Sequence, residues 1–168
     1  MQRRLALAGL VAASFASQPA AAATASAADP ASCTKTMYDY GYARDTLDVA
    51  RYPSLFTEDA VISFGGKTYS GKAEIAKELG DIAAATPNRL TRHVLTNIRV
   101  ERTGPLAAAG TVYLTLYAGA NGDTTPAPLE GPTTVGVYKV EFSLAGGTCR
   151  IAKSHLDVIF RRAPPAQR

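Results

Sequence analysis

The chain holds two histidines, His93 in "NRLTRHVLTNIRVERTG" and His155 in "IAKSHLDVIF". Histidine is the side chain whose ordinary titration lies closest to neutral pH, so each is a candidate for moving protons. His93 opens a strand-like run and reads either as a proton shuttle or as a hydrogen-bonded structural residue on a sheet. Alternation puts Leu95 and Asn97 on its side and Val94, Thr96 and Ile98 on the other, without saying which side meets a pocket. His155 shares its side with Ile151, Lys153, Asp157 and Ile159, a mixed and more solvated set, which favours a structural role. Asp45, beside Arg44, lies on the apolar-periodic side of a helix pattern and is either a functional carboxylate or an ordinary exposed one. Asp48 reads as a helix N-cap, and Glu58 and Asp59 as a turn before a strand.

Other chemistries find less support. No H-x-H or H-x-x-x-H spacing occurs and the two cysteines lie far apart, so no metal site is expected. Tyr42, Tyr52, Tyr69, Tyr113, Tyr117 and Tyr138 could line a pocket, each ring supplying area and one directed hydroxyl. Of these, Tyr42, Tyr113 and Tyr138 lie on the helix and strands expected to wall a cavity.

The elements that must position these groups follow from composition and pattern. A length of 168 residues, 46% hydrophobic and 19% charged, fits one globular domain with a real core. Residues 1–27 read as a secretory signal peptide: Arg3 and Arg4 precede an apolar run from Leu5 to Phe15, and small-residue cleavage sites follow. The apolar run is too short to span a bilayer, and no stable membrane anchor is expected after cleavage. An arginine pair is also compatible with a twin-arginine route. Loss of the leader removes two of the charges behind the formal +4. No basic cluster with interleaved aromatics remains to bind nucleic acid. Export to the periplasm or beyond would let the only cysteines, Cys33 and Cys149, form a bridge; two separate thiols are the alternative. Residues 28–162 form the single domain, and the proline-containing residues 163–168 a disordered tail.

Within the domain, Asp29-Pro30 starts a helix running to about Leu47, with Met37, Tyr40, Ala43 or Arg44 and Leu47 on its buried side. A short second helix is expected in "DVARYPSLFTEDA", kinked or restarted at Pro53. A hairpin follows around Gly65-Gly66, and then a helix capped by Ser70 and ended by Pro87. Four long strand-like runs come next, at 91–102, 107–118, 133–144 and 149–160. The first and last pairs read as antiparallel hairpins, separated by the long loop "AGANGDTTPAPLEGPTT". The fold class is α+β: one strongly curved antiparallel sheet wrapped around packed helices, enclosing a pocket.

"YARDTLDVARYPSLFTEDAVISFGGKTYSGKAEI", "RHVLTNIRV" and "VGVYKVEF" before "CRIAKSHLDVIF" together resemble the SnoaL-like branch of the nuclear transport factor 2-like superfamily, over roughly residues 36–160. That resemblance implies a cone-shaped, cystatin-like roll around an apolar cavity. The superfamily includes scytalone dehydratase, polyketide cyclases, steroid isomerase and the non-catalytic small subunit of ring-hydroxylating dioxygenases. Alignment with scytalone dehydratase puts a helix aspartate on Asp45 and a pocket histidine on His93, a pair suited to proton abstraction. It also puts a pocket tyrosine on Phe64 and a second pocket histidine near Ala118, so both of those groups are missing here. The resemblance thus implies a protein that binds a small apolar or aromatic molecule, and the leader implies that it is exported. Cofactor-free dehydration, isomerisation or aldol-type cyclisation by Asp45 and His93 is the leading reading, with Tyr42, Phe64, Tyr113 and Tyr138 at the substrate. A non-catalytic binding or assembly module is the alternative, and either form could pair as a homodimer through the sheet.

Overall fold

The computed structural model describes residues 27–119, 126–129 and 131–163. The expected leader and tail lie outside these residues except for Ala27 and Ala163, as does most of the middle of the long loop. Helix α1 (Ala31–Thr46) begins two residues after Asp29, whose Oδ1 accepts the Ala31 N–H at 2.9 Å. It buries Cys33, Met37, Tyr40, Ala43 and Arg44 against the sheet and ends at Leu47 in the left-handed conformation.

The expected second helix is a correction. Only Tyr52–Leu55 forms a helical turn, of the 3-10 type, with proline in its first positions. Strand β1 (Phe56–Phe64) then starts at once, taking in the Glu58 and Asp59 expected in a turn. Both acids are exposed where the register of β1 shifts against its neighbour between Phe56 and Val61. Such an irregularity breaks the two-residue alternation by which a strand is recognised. Strand β2 (Lys67–Ser70) completes the hairpin over Gly65 and Gly66, both at positive φ. Helix α2 (Lys72–Ala85) starts after Gly71; Ser70 contributes its backbone N–H to Glu74 Oε2 instead of a side-chain cap.

The four long strands are β3 (Thr91–Gly104), β4 (Ala107–Ala118), β5 (Thr134–Ser143) and β6 (Arg150–Arg161). They pair antiparallel in sequence order, and β6 then pairs in parallel with β1, giving the order β2-β1-β6-β5-β4-β3. This is a curved six-stranded mixed sheet with both helices against one face, an α+β cone of the expected class. The core between helices and sheet includes Met37, Tyr52, Phe56, Ile62, Ile75, Leu79, Leu114 and Ile151.

Cys33 and Cys149 are bonded, closing a separation of 116 residues between the first turn of α1 and the start of β6. In the chain-entropy model a loop of that size is worth about 4 to 5 kcal/mol. Among the described residues, no helix is long and apolar enough to cross a membrane.

Candidate active site

The second half of α1 and the first residues of β3 meet at Gly41. A Cβ there would lie 3.2 Å from Leu95 and 3.4 Å from the Cβ of His93, so glycine allows the helix to approach the strand closely. That approach carries Asp45, one turn later, onto His93. Asp45 Oδ2 accepts the His93 backbone N–H at 2.9 Å, and Oδ1 lies 2.5 Å from Nδ1 of its ring. Only 4% of the His93 side chain and 12% of the Asp45 side chain is exposed.

A carboxylate can only accept here, so Nδ1 carries the proton and Nε2 presents a lone pair. No described residue bonds Nε2, and the ring lines an inner cavity of about 160 Å³. Burial holds the imidazole below its ordinary titration range, reinforced by the charges of Arg44 and Arg89 and opposed by the bond to Asp45. Burial would raise the Asp45 carboxyl, but the side-chain and backbone bonds from His93 outweigh it and hold the group below its usual range. The pair at neutral pH is therefore a carboxylate orienting a neutral imidazole whose free nitrogen is basic.

The antiparallel register explains the wall opposite. His93 pairs with Leu116, Leu116 with Thr134 and Thr134 with Arg161, one row across four strands, and all four residues line the cavity. Leu114, Val158, Tyr138 and Leu156 lie on neighbouring inward rows. From the helix side come Tyr40 and Arg44, four residues apart on one face of α1. The Tyr40 and Tyr138 hydroxyls lie 3.4 Å apart, and burial pushes the Tyr138 phenol well above its ordinary range. One hydroxyl donates to the other, which leaves the second O–H to donate to an oxygen in the cavity.

Arg44 holds the floor. It makes two 3.0 Å bonds to the Glu78 carboxylate and one of 2.8 Å to the Tyr52 hydroxyl, with both partners of the ion pair 5% exposed. Its guanidinium also stacks 4.9 Å from the centre of the Phe64 ring. Arg44, Phe64, Gly65 and Arg89 border a second, outer cavity of about 760 Å³ that Ala118 also lines. The two cavities thus form a chamber and its vestibule.

Of the tyrosines and phenylalanine expected at the substrate, Phe64 and Tyr138 line the chamber. Tyr42 and Tyr113 do not, and both expectations are corrected: they are 58% and 49% exposed. Tyr42 lies two residues from both Tyr40 and Arg44, which turns it to the far side of the helix. Tyr113 lies between the buried Val112 and Leu114, so alternation sends it to the outer sheet face. Asn97 likewise leaves the side of His93. It takes a left-handed conformation at a register shift in β3, after which Ile98 and Val100 pack against the core.

His155 lies on the outer face, 56% exposed, with Nδ1 2.6 Å from Ser63 Oγ and Nε2 2.9 Å from Asp157 Oδ1. Tyr40, Arg44, Arg89 and Arg161 were not among the expected ligand-binding residues. The four-residue spacing of Tyr40 and Arg44 on an otherwise apolar helix face was the available signal. Among the described residues, no group of three His, Cys, Asp or Glu gathers that could hold a metal.

The SnoaL-like domain family matches residues 25–155. No curated protein matches the chain in sequence. Solved structures share its fold at low identity. A candidate scytalone dehydratase from Novosphingobium aromaticivorans is 19% identical, with 82% of this chain and 88% of that one aligned at a TM-score of 0.66. A hexachlorocyclohexane dehydrochlorinase, LinA type 2, is 17% identical over 82% and 94% of the two chains, at a TM-score of 0.63. A Nostoc punctiforme protein of unknown function with a cystatin-like fold is 17% identical over 77% and 90%, at 0.62.

Proposed function

The chain belongs to the SnoaL-like family of the nuclear transport factor 2-like superfamily, and from that premise we propose that it is an exported, cofactor-independent acid–base catalyst acting on a small apolar or aromatic molecule. The observation that carries the reading is the pair of hydrogen bonds that His93 donates to Asp45, which leaves Nε2 unbonded on a ring that lines the chamber. His93 takes a proton from a carbon or hydroxyl of the bound molecule and returns it to the leaving group or product. Asp45 is the positioning residue: it fixes the tautomer and stabilises the imidazolium as it forms. The free O–H of the Tyr40 and Tyr138 pair donates to the oxygen on which charge develops. The reaction class is elimination, isomerisation or aldol-type cyclisation, and the dehydratase and dehydrochlorinase relatives of this fold make elimination the first choice.

The bond between Cys33 and Cys149 supports the export part of the proposal, because such bridges persist in oxidising compartments. A leader over residues 1–27 followed by a domain over 28–162 belongs to the same reading. So does a homodimer formed through the outer sheet face, where Val94 and Tyr113 are exposed.

The second reading is a non-catalytic binding module of the same fold. It is favoured by Phe64 and Ala118, which border the cavities where the resemblance places a hydroxyl and a second imidazole. Ring opening of 5-nitrobenzisoxazole separates the two, since it needs only a base in an apolar site and no knowledge of the natural substrate. The enzyme reading expects saturable turnover that falls about 10²- to 10⁴-fold in His93→Ala. Asp45→Asn should fall less, with a changed pH profile. Turnover unchanged by His93→Ala would leave only the binding module.

A further inference from the structure

Three guanidinium groups border the chamber, and they differ in what they touch. Arg44 is fully committed to Glu78 and Tyr52. Arg89, from the turn before β3, is half-buried, and Arg161, at the end of β6, is exposed at the rim. The guanidinium of neither makes a hydrogen bond or ion pair with any described residue, although the Arg89 backbone N–H donates to the Thr86 carbonyl and Arg161 pairs with Thr134 in the sheet.

The carboxylates that could serve Arg89 are already used. Glu78 is held by Arg44 and Asp45 by His93. Arg89 sits in the field of Arg44 as well as of those two carboxylates, and burial with the Arg44 charge outweighs the pull of Glu78 and Asp45 and lowers its titration from the ordinary arginine range. Its half-buried guanidinium opens on both chamber and vestibule with its donors unused by any described residue. An anion bound there would take those donors and replace the bonds lost with solvent.

We propose that the molecule taken by this cavity carries a carboxylate, and that Arg89 is its principal anchor, with Arg161 a second contact across the mouth. This rests on the reading of the chamber as the binding site and adds the chemical class of the ligand. A guanidinium matches the planar, two-oxygen geometry of a carboxylate. His93 and Arg161 stand on one inward row three strand spacings apart, roughly 14 Å between backbones. Once the two side chains reach inward, that span leaves room for one or two fused rings. The leucine and valine side chains of the wall pack on the rings, and the carboxylate is held at the mouth. Anchoring there presents the opposite end of the molecule to Nε2 of His93 and fixes which proton is taken.

The test compares 2-naphthoate with 2-naphthamide, planar molecules of similar shape that differ in charge, followed through the His93 ring resonances. The carboxylate should bind at least about tenfold more tightly than the amide. Arg89→Gln should remove most of that ratio through loss of carboxylate affinity, with the His93 resonances still shifted by the amide. Arg161→Gln should reduce the ratio less. Equal affinities in the unaltered protein, or an unchanged ratio in Arg89→Gln, would overturn the proposal even with both molecules seated at His93. If neither molecule moves the His93 resonances, the binding-site reading fails, and this inference with it.

Discussion

The two faces of the sheet carry the same pair of residue types in different surroundings. On the inner face His93 is bonded to Asp45 with both side chains nearly enclosed. On the outer face His155 is bonded to Asp157 and Ser63 with its ring largely in solvent. The outer set holds the three residue types of a hydrolytic triad, yet its ring stands largely in solvent and Asp157 is shared with Lys139 at 2.7 Å. The inner pair has fewer partners but a basic nitrogen facing an enclosed space. A carboxylate and an imidazole in contact do not make a site; enclosure and a free, directed lone pair do.

Breaking ion pairs on each face should expose this contrast most strongly. Glu78→Gln leaves the buried Arg44 guanidinium without its bidentate partner and should cost about 3 to 5 kcal/mol in denaturant unfolding. Glu141→Gln removes the exposed partner of Lys153 and should change stability by less than about 0.5 kcal/mol. Comparable losses from the two variants would abolish the distinction.

Asp45→Ala should come next. It strands two donors of His93, the ring N–H and the backbone N–H, at about 1 to 3 kcal/mol each before relaxation. Asp157→Ala should leave the melting curve where it was.

The acid side of the stability profile sharpens the same comparison. The titration of His93 in the folded state lies below its ordinary value of 6.5. As pH falls beneath that value the unfolded chain takes up the proton first, so stability declines toward the folded-state value and then levels. Asp45 adds its own loss only at lower pH, below the ordinary carboxylate value of 3.8. His93→Gln should remove the first decline, as seen in denaturant midpoints measured from pH 7 down to pH 4.5, and His155→Gln should retain it. The smallest expected effect is a rise in the His93 titration midpoint in Arg89→Gln, because the Arg89 charge contributes to its depression. A fall in that midpoint would place Arg89 outside the site.

Much of the fold was legible because the long strands are rich in β-branched and aromatic residues and bounded by turn residues. Their limits agree with expectation to within two residues at each end. The segment from Asp48 to Ala60 was not legible. Pro53 fits a helical turn, but the register shift hides the strand that follows, and only pairing with β6 gives that strand its place. The Asp45 and His93 contact came from family resemblance, since nothing in their separation of 48 residues encodes it. Tyr42 and Tyr113 failed because being on a cavity-walling element does not determine which face a side chain takes. Arg89 reads as solvated because it is a charged residue on a loop, and Arg44, already a candidate for the buried side of the first helix, gives no sign of meeting a cavity until the opposite wall is known.

At the chamber wall His93 stands neutral, protonated on Nδ1 and free on Nε2. Nitrogen-15 NMR of the imidazole at pH 7 tests it without any substrate. His93 should show a pyrrole-type Nδ1 and a pyridine-type Nε2, with Nε2 shifting on addition of 2-naphthoate. A proton on Nε2, or a doubly protonated ring at that pH, would contradict it.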